Sequence, residues 1–220
     1  MLKITKDNKA SLDELKEDMQ KIFIDAFLPM SKTSAFNNHP RLKDLVGEQK
    51  QAIDGHVDAI VRQELALAFT DELDKIMSDI NNNTDVFIAT NRTKQGTLAG
   101  FAVFAHLDIQ KHLDEKFASI SEGSLADIPK QLTNAWWVRL LTVSPSLQKK
   151  GLGSALLFSI FNQEPQTSSL YLSTSAAPEN AATQKFYEHV GFKRFMKGVS
   201  KKAASPFEQE KYVYLYTTKQ

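Results

Sequence analysis

The hydrophobic period of this chain changes once, at Asp85, and that change limits the fold more than any other feature. Before it, apolar residues recur at helical spacing. Leu12, Leu15, Met19, Ile22, Phe23, Ala26 and Phe27 fall on one helix face, Ser11-Leu12-Asp13-Glu14 has the form of a capping box, and Pro29 closes the segment. Arg41 to Phe69 repeats the pattern through Leu42, Leu45, Val46, Ile53, Val57, Ile60, Val61 and Leu65. Thr70-Asp71 is placed to cap a further helix carrying Leu73, Ile76, Met77 and Ile80, which Asn81-Asn82-Asn83 ends. A short strand at Leu2 to Thr5 precedes them.

After Asp85 the pattern turns to β. Val86 to Thr90 and Thr97 to Leu107 are β-rich runs, and Asn91 to Gly96 joins them as a hairpin. Asp108 to Asn134 is polar, with helical positions at Ile109, Leu113 and Phe117 and a break at Pro129, and reads as a mobile insertion. A strand from Trp136 to Val143 stops at Ser144-Pro145. Helix Leu152 to Phe161, strand Leu170 to Thr174, helix Glu179 to Val190, and strands Phe192 to Met196 and Tyr212 to Thr217 complete the order. The expected fold class is α+β, in one domain of 220 residues. Its helix-rich part spans 1–84, and its sheet core, with two late crossover helices, spans 85–220.

Composition removes several functions. With 42% hydrophobic and 24% charged residues the chain is ordinary globular material. A formal net charge of +1 gives no field that would recruit nucleic acid or an anionic membrane, so an anion site must be local. The count of 0 cysteines excludes disulfides, thiolate metal sites and a catalytic thiol, and suits a reducing cytoplasm. The first residues lack the apolar core of a signal peptide, and the apolar run from Leu98 to Leu107 is too short to span a bilayer. A cytoplasmic protein with neither a membrane nor a nucleic-acid partner is expected.

One segment carries chemistry. After the strand ending at Leu141-Thr142-Val143, the loop Ser144-Pro145-Ser146-Leu147-Gln148-Lys149-Lys150-Gly151 opens a helix at Leu152-Gly153-Ser154. Glycines at 151 and 153 let a ligand approach the backbone without a Cβ in the way. The first N–H groups of a helix are unpaired and carry partial positive charge, which is what a diphosphate needs. The Walker pattern is absent, because Ser154-Ala155 follows the second glycine. The dinucleotide fingerprint is absent too, because Leu156 stands where its third glycine belongs.

Gln148-Lys149-Lys150-Gly151-Leu152-Gly153 resembles the pyrophosphate loop, Gln/Arg-x-x-Gly-x-Gly/Ala, of the GCN5-related N-acetyltransferases (GNAT). Leu141-x-Val143-x-Pro145 resembles the end of that family's fourth strand. Asn180, Phe186-Tyr187 and Gly191-Phe192 match its second motif, in the expected order and with a strand between the two. The resemblance is firm from Val86 to Phe195.

The resemblance implies a mixed, mostly antiparallel central sheet flanked by helices, here with an extended helical N-terminal section. It implies acetyl-CoA as co-substrate, no metal, and direct attack by an amine in a ternary complex. The pantetheine arm would pair with the backbone of Leu141, Thr142 and Val143, where an N–H such as that of Leu141 would polarise the thioester carbonyl. Gln148, Lys149, Lys150, Gly151, Leu152, Gly153 and Ser154 would hold the diphosphate, and Asn180 the cofactor arm. Tyr187 would protonate the leaving thiolate.

Two positions depart from the family pattern. Thr183 stands where an alanine is common. Arg139 stands two residues before Leu141, where many members carry a glutamate that serves as base, and arginine takes up no proton at neutral pH. Arg139 either faces the acceptor groove or turns away to pair with an acid. That keeps a second class of function in view, a non-catalytic CoA-binding sensor or scaffold. The acceptor stays open among small amines and peptide or protein amines, as does a homodimer formed through the N-terminal helices. Asp108 and His112 are four apart, as helical metal ligands are, but capping and surface roles are expected for them and for His106, and a structural one for His189. Trp136-Trp137 and Tyr212, Tyr214, Tyr216 alternate along strands and read as core and sheet faces.

Overall fold

The computed structural model describes residues 2–4, 10–128, 132, 135–201 and 210–218. Thr5, Pro129, Asn134 and residues 202–209 lie outside them, so the break expected at Pro129 is not addressed. The elements run β1 (Leu2–Ile4), α1 (Ala10–Asn38), α2 (Gly47–Asn81), β2 (Val86–Arg92), β3 (Leu98–His106), α3 (Ile109–Lys116), β4 (Phe117–Glu122) and β5 (Ala135–Val143). There follow α4 (Leu152–Phe158), α5 (Ile160–Gln163), β6 (Ser169–Ser175), α6 (Ala181–His189), β7 (Lys193–Ser200) and β8 (Glu210–Thr217). The fold is α+β, with the helices first and the sheet after Asp85, as the change of period requires.

Eight strands form one sheet in the order β1-β2-β3-β5-β6-β8-β7-β4. Every pair is antiparallel except β5 with β6. On one face α1 and α2 bury Leu12, Met19, Phe69, Leu73 and Ile76 against Ile88, Phe101 and Val103, and α3 extends that cover with Ile109 and Leu113 over Tyr171 and Val213. On the other face α4, α5 and α6 bury Leu156, Leu157, Ile160 and Tyr187 against Phe104, Trp136, Leu170 and Tyr214. Trp136 and Trp137 therefore point to opposite faces, as strand alternation demands.

Four local expectations are corrected. α1 begins at Ala10, so Ser11 lies inside the first turn and not ahead of it. Pro29 does not end α1, which runs on to Asn38. A proline inside a helix forfeits a hydrogen bond, but Leu28 and Phe36 are buried against Val57 and Val61 of α2, and that packing carries the helix through. Thr70-Asp71 does not start a new helix either. The Thr70 hydroxyl donates to the Ala66 carbonyl at 3.0 Å, and the buried stripe Phe69, Leu73, Ile76, Ile80 continues in phase, so α2 is one helix of 35 residues. Its start is Gly47, and Arg41 to Asp44 form turns.

The segment read as an insertion contains α3 and an unforeseen edge strand. Phe117, taken as a helical position, opens β4, which pairs with β7 from Phe117 opposite Ser200 to Glu122 opposite Lys197. The helix expected from Leu152 to Phe161 is interrupted at Ser159, whose hydroxyl donates to the Leu156 carbonyl at 2.7 Å. No helix among the described residues is long and apolar enough to cross a membrane.

Candidate active site

The sheet opens between β5 and β6. These parallel strands pair only from Ala135–Trp137 to Ser169–Tyr171, and β6 is then committed to β8 along its whole length. From Val138 to Val143, β5 keeps β3 on one side and has no strand on the other. A bulge marks the point of separation. Val103 opposes Leu140 and Phe104 opposes Val138, so Arg139 is the extra residue.

The bulge decides where Arg139 goes. Its side chain is 3% exposed and forms ion pairs with Glu72 and Asp79 of α2, while its guanidinium lies 5.1 Å from the centre of the Trp137 ring. Of the two orientations open from sequence, the one that pairs with acids holds. Glu72 and Asp79 are seven residues apart, two turns along one helix face, so one guanidinium reaches both.

At the other end of the gap stands the glycine loop. Lys149 and Gly151 both take positive φ, +61° and +78°, which turns the chain sharply into α4. A Cβ at Gly151 would meet nothing within 4 Å, so the loop is open to its surroundings there. The Ala155 N–H donates to the Gly151 carbonyl at 3.0 Å, leaving the N–H groups of Leu152, Gly153 and Ser154 without intrahelical partners. The loop's own polar side chains brace it. The Gln148 Nε2 donates to the Val143 carbonyl at 3.1 Å, and the Lys150 Nζ donates to the Ser146 carbonyl at 3.1 Å. Gln148, Lys149 and Lys150 are exposed, whereas Leu152 and Ser154 are half-buried.

The two sequence motifs meet at Gly153. A Cβ there would lie 3.3 Å from the Phe186 ring and 3.8 Å from Val143, so the small residue lets α4 pack closely on both α6 and the end of β5, and a larger one would push the Phe186 ring aside. Tyr187 is the next residue of α6. It is 8% exposed, within 6.0 Å of the ring centres of Phe186, Phe192 and Tyr214, and shares a cluster with Val138 of β5 and Leu170 and Leu172 of β6. Burial raises its phenol well above the usual range, so the hydroxyl keeps its proton. Among the described residues that hydroxyl has no hydrogen-bond partner.

Asn180 is 3% exposed, and its Nδ2 donates to the Thr174 Oγ1 at 2.7 Å and the Ser175 carbonyl at 2.9 Å, tying the end of β6 to the start of α6. Leu141 and Val143 are half-buried on the α4–α6 face. Thr142 is 2% exposed, and its Oγ1 is buried without a partner on the stretch of β5 that β6 has left. Thus Gly153 joins α4 to Phe186 and Val143, Tyr187 shares a cluster with Val138 and Leu170, and Leu141, Thr142 and Val143 lie on the stretch of β5 that β6 has left.

Sequence reasoning missed the groups on the α1–α3 face. Glu72 and Asp79 are among them, and so is a cluster around Trp137. The Lys116 Nζ lies 4.6 Å above the Trp137 ring, the His112 ring centre is 4.1 Å from it, and the His112 Nδ1 is 3.1 Å from the Tyr171 hydroxyl. The one available signal was a buried-strand arginine that needed acids from elsewhere. Asp108 accepts from the Lys111 N–H at 2.8 Å and caps α3.

Burial, and then the cations Lys116 and Arg139, push His112 down to about 3. An unfolded histidine titrates near 6.5, so between those values the folded chain binds fewer protons than the unfolded one. His112 therefore disfavours folding as pH falls through that window, by about 2 kcal/mol near pH 5. Urea midpoints of the wild type should drop over this range more steeply than those of His112→Gln, which keeps an amide for Tyr171. Parallel curves would refute it.

The family model for the acetyltransferase (GNAT) domain matches residues 82–194. The chain belongs to this family of acetyltransferases. Solved structures similar to it include the PaiA N-acetyltransferase from Thermoplasma acidophilum in complex with coenzyme A, at 12% identity over 93% of this chain and 94% of that chain, TM-score 0.49. Another is an acetyltransferase of the GNAT family from Staphylococcus aureus, at 13% identity over 99% and 98%, TM-score 0.47. A comparison with curated proteins gives no match.

Proposed function

We propose that the chain transfers an acetyl group from acetyl-CoA to a primary amine by direct attack in a ternary complex. The observation that carries this reading is the contact of Gly153 with Phe186 and Val143, which brings both motifs of the family to the place where β5 leaves β6. The residues present suit a CoA thioester. An open glycine turn and three free N–H groups suit its diphosphate, and an unpaired strand edge with the orphaned Thr142 Oγ1 suits the amides of its arm.

Acetyl-CoA supplies an activated acyl group whose leaving atom is sulfur. The N–H groups of Leu152, Gly153 and Ser154 orient the diphosphate, with Gln148, Lys149 and Lys150 around it. The strand edge of Leu141, Thr142 and Val143 aligns the arm, and the Leu141 N–H polarises the acyl oxygen. Asn180 fixes the end of β6 that forms the far wall of the gap. Tyr187, protonated through its burial, gives its proton to the departing sulfur.

A second reading is a CoA-binding sensor or scaffold without turnover. The engagement of Arg139 with Glu72 and Asp79 favours it, because no proton acceptor occupies the bulge.

Calorimetry with acetyl-CoA tests the shared part of both. Gly151 sits at positive φ with open space around its Cα, so Gly151→Trp adds about 1–2 kcal/mol of local strain and fills the turn. The wild type should bind and the folded variant should lose at least tenfold in affinity. A folded wild type that gives no binding isotherm would overturn the proposal.

A further inference from the structure

We propose that α2 pairs antiparallel with the α2 of a second copy of this chain, along a stripe from Ala52 to Thr70. The surface lies apart from the proposed acetyl-transfer site, and its test is independent of that reading.

The stripe is the side of α2 that the fold leaves bare. α2 turns Val57, Val61, Phe69, Leu73 and Ile76 inward. At 3.6 residues per turn, the row Ile53, Ile60, Leu67 and the row His56, Gln63, Thr70 lie on the side turned away from these. A third row, Ala52, Ala59, Ala66, runs along their flank. Among the described residues the large hydrophobics that stand exposed are Val46, Ile60 and Leu67, and the last two belong to this stripe, at 46% and 64% exposure. Over about 27 Å of helix the three rows hold no Asp, Glu, Lys or Arg, although Asp54, Asp58, Arg62 and Glu64 lie on the same helix. A helix face that stays in water ordinarily carries charge, and an uncharged one with exposed Ile and Leu marks a contact surface.

The rows also select the occupant. Each repeats at seven residues, the spacing at which two helices mesh side chains along a shared seam. Take an antiparallel pair whose two-fold axis passes at the level of residues 61 and 62. Ile53, Ile60 and Leu67 of one copy then lie against Thr70, Gln63 and His56 of the second copy, and the same contacts recur beyond the axis. The alanine row lets the two backbones approach closely. Lys50 of one copy comes beside Asp71 of the second copy, once at each end of the seam, so the flanking charges complement each other. Within its own chain Lys50 meets the Phe36 ring at 4.5 Å and, among the described residues, no carboxylate. Asp71 meets Lys75 of its own helix at 2.5 Å, and a carboxylate has sites for a second donor. A parallel pair would set the alanine row beside Glu64 and Asp71, with no cation opposite either.

Sedimentation of the full chain at rising concentration tests the pairing. The wild type should form dimers at micromolar concentration. Ile60→Glu with Leu67→Glu should raise the dissociation constant at least tenfold with an unchanged far-UV spectrum, since both side chains are exposed. Lys50→Glu should weaken the dimer, and Lys50→Glu with Asp71→Lys should restore it. The chain has 0 cysteines, so single introduced thiols report direction. Gln63→Cys, near the axis, should cross-link two copies under mild oxidation. Ala52→Cys, about 28 Å along the seam from its counterpart in the second copy, should not. A wild type that stays monomeric up to its solubility limit would overturn the proposal. So would a dimer that survives both glutamates, or one that cross-links through Ala52→Cys and not through Gln63→Cys.

Discussion

Arg139→Ala should cost the fold about 3 kcal/mol, read as a fall in urea midpoint at unchanged slope. Arg139 is 3% exposed and is the cation for two carboxylates, Glu72 at 22% and Asp79 at 29% exposure. Removing the guanidinium leaves two acids facing each other across two turns of α2, over a hole beside Trp137. Breaking a buried pair from one side ordinarily costs about 3–5 kcal/mol. The lower end applies here because both acids are partly wet and relax toward solvent. The triple change Arg139→Met, Glu72→Gln, Asp79→Asn removes the charges together and should recover most of the loss. Such recovery identifies uncompensated charge, not lost packing, as the cause. A single variant that loses less than about 1 kcal/mol would show that α2 is not held to the bulge by this cluster.

That cluster also shows why half of the candidate site was legible in the sequence and half was not. The proposed donor side is built from contiguous segments. The loop Gln148 to Gly153 has its glycines where the backbone turns with positive φ, and Phe186-Tyr187 follows Asn180 at fixed helical spacing, so residue order alone displays the chemistry. The opposite face is assembled from α2, α3, β5 and β8. Glu72 and Arg139 are 67 residues apart, and nothing local to either records the other. Lys116 ends a short polar helix, where a lysine ordinarily reads as a solvated or dipole-facing charge. Only the tertiary position of Trp137 makes it a half-buried amine.

The fold divides the same way. β2, β3, β5, β6 and β8 announce themselves because they carry runs of buried residues, eight in succession in β3. β4 does not, because only Phe117 is buried along its six residues, and an edge strand exposed on both sides has no period to detect. At Pro29 and at Thr70 the local rule for ending a helix is correct chemistry, yet the packing of α1 on α2 outweighs it. The errors in the sequence reading thus fall where tertiary burial overrides a local signal, at Pro29 and Thr70, or where an exposed strand carries no signal, at β4.

Tyr187→Phe should lower the rate of acetyl transfer by about 10²–10³-fold while leaving acetyl-CoA affinity near the wild-type value. The hydroxyl is the one polar atom that α6 carries into a cluster of Val138, Leu170, Leu172, Phe192 and Tyr214, and among the described residues nothing there hydrogen-bonds it. Its loss therefore leaves no partner unsatisfied, and stability should change by less than about 1 kcal/mol. The rate is read in single turnover from the appearance of free CoA thiol, with an amine found by screening. Burial holds the phenol protonated across the neutral range, so the wild-type rate should show no loss that follows tyrosine ionisation below about pH 10. If Tyr187→Phe transfers as fast as wild type, the sulfur leaves as thiolate or takes its proton from water. The buried phenol would then be a packing residue, and Tyr187 would have no catalytic part in the gap.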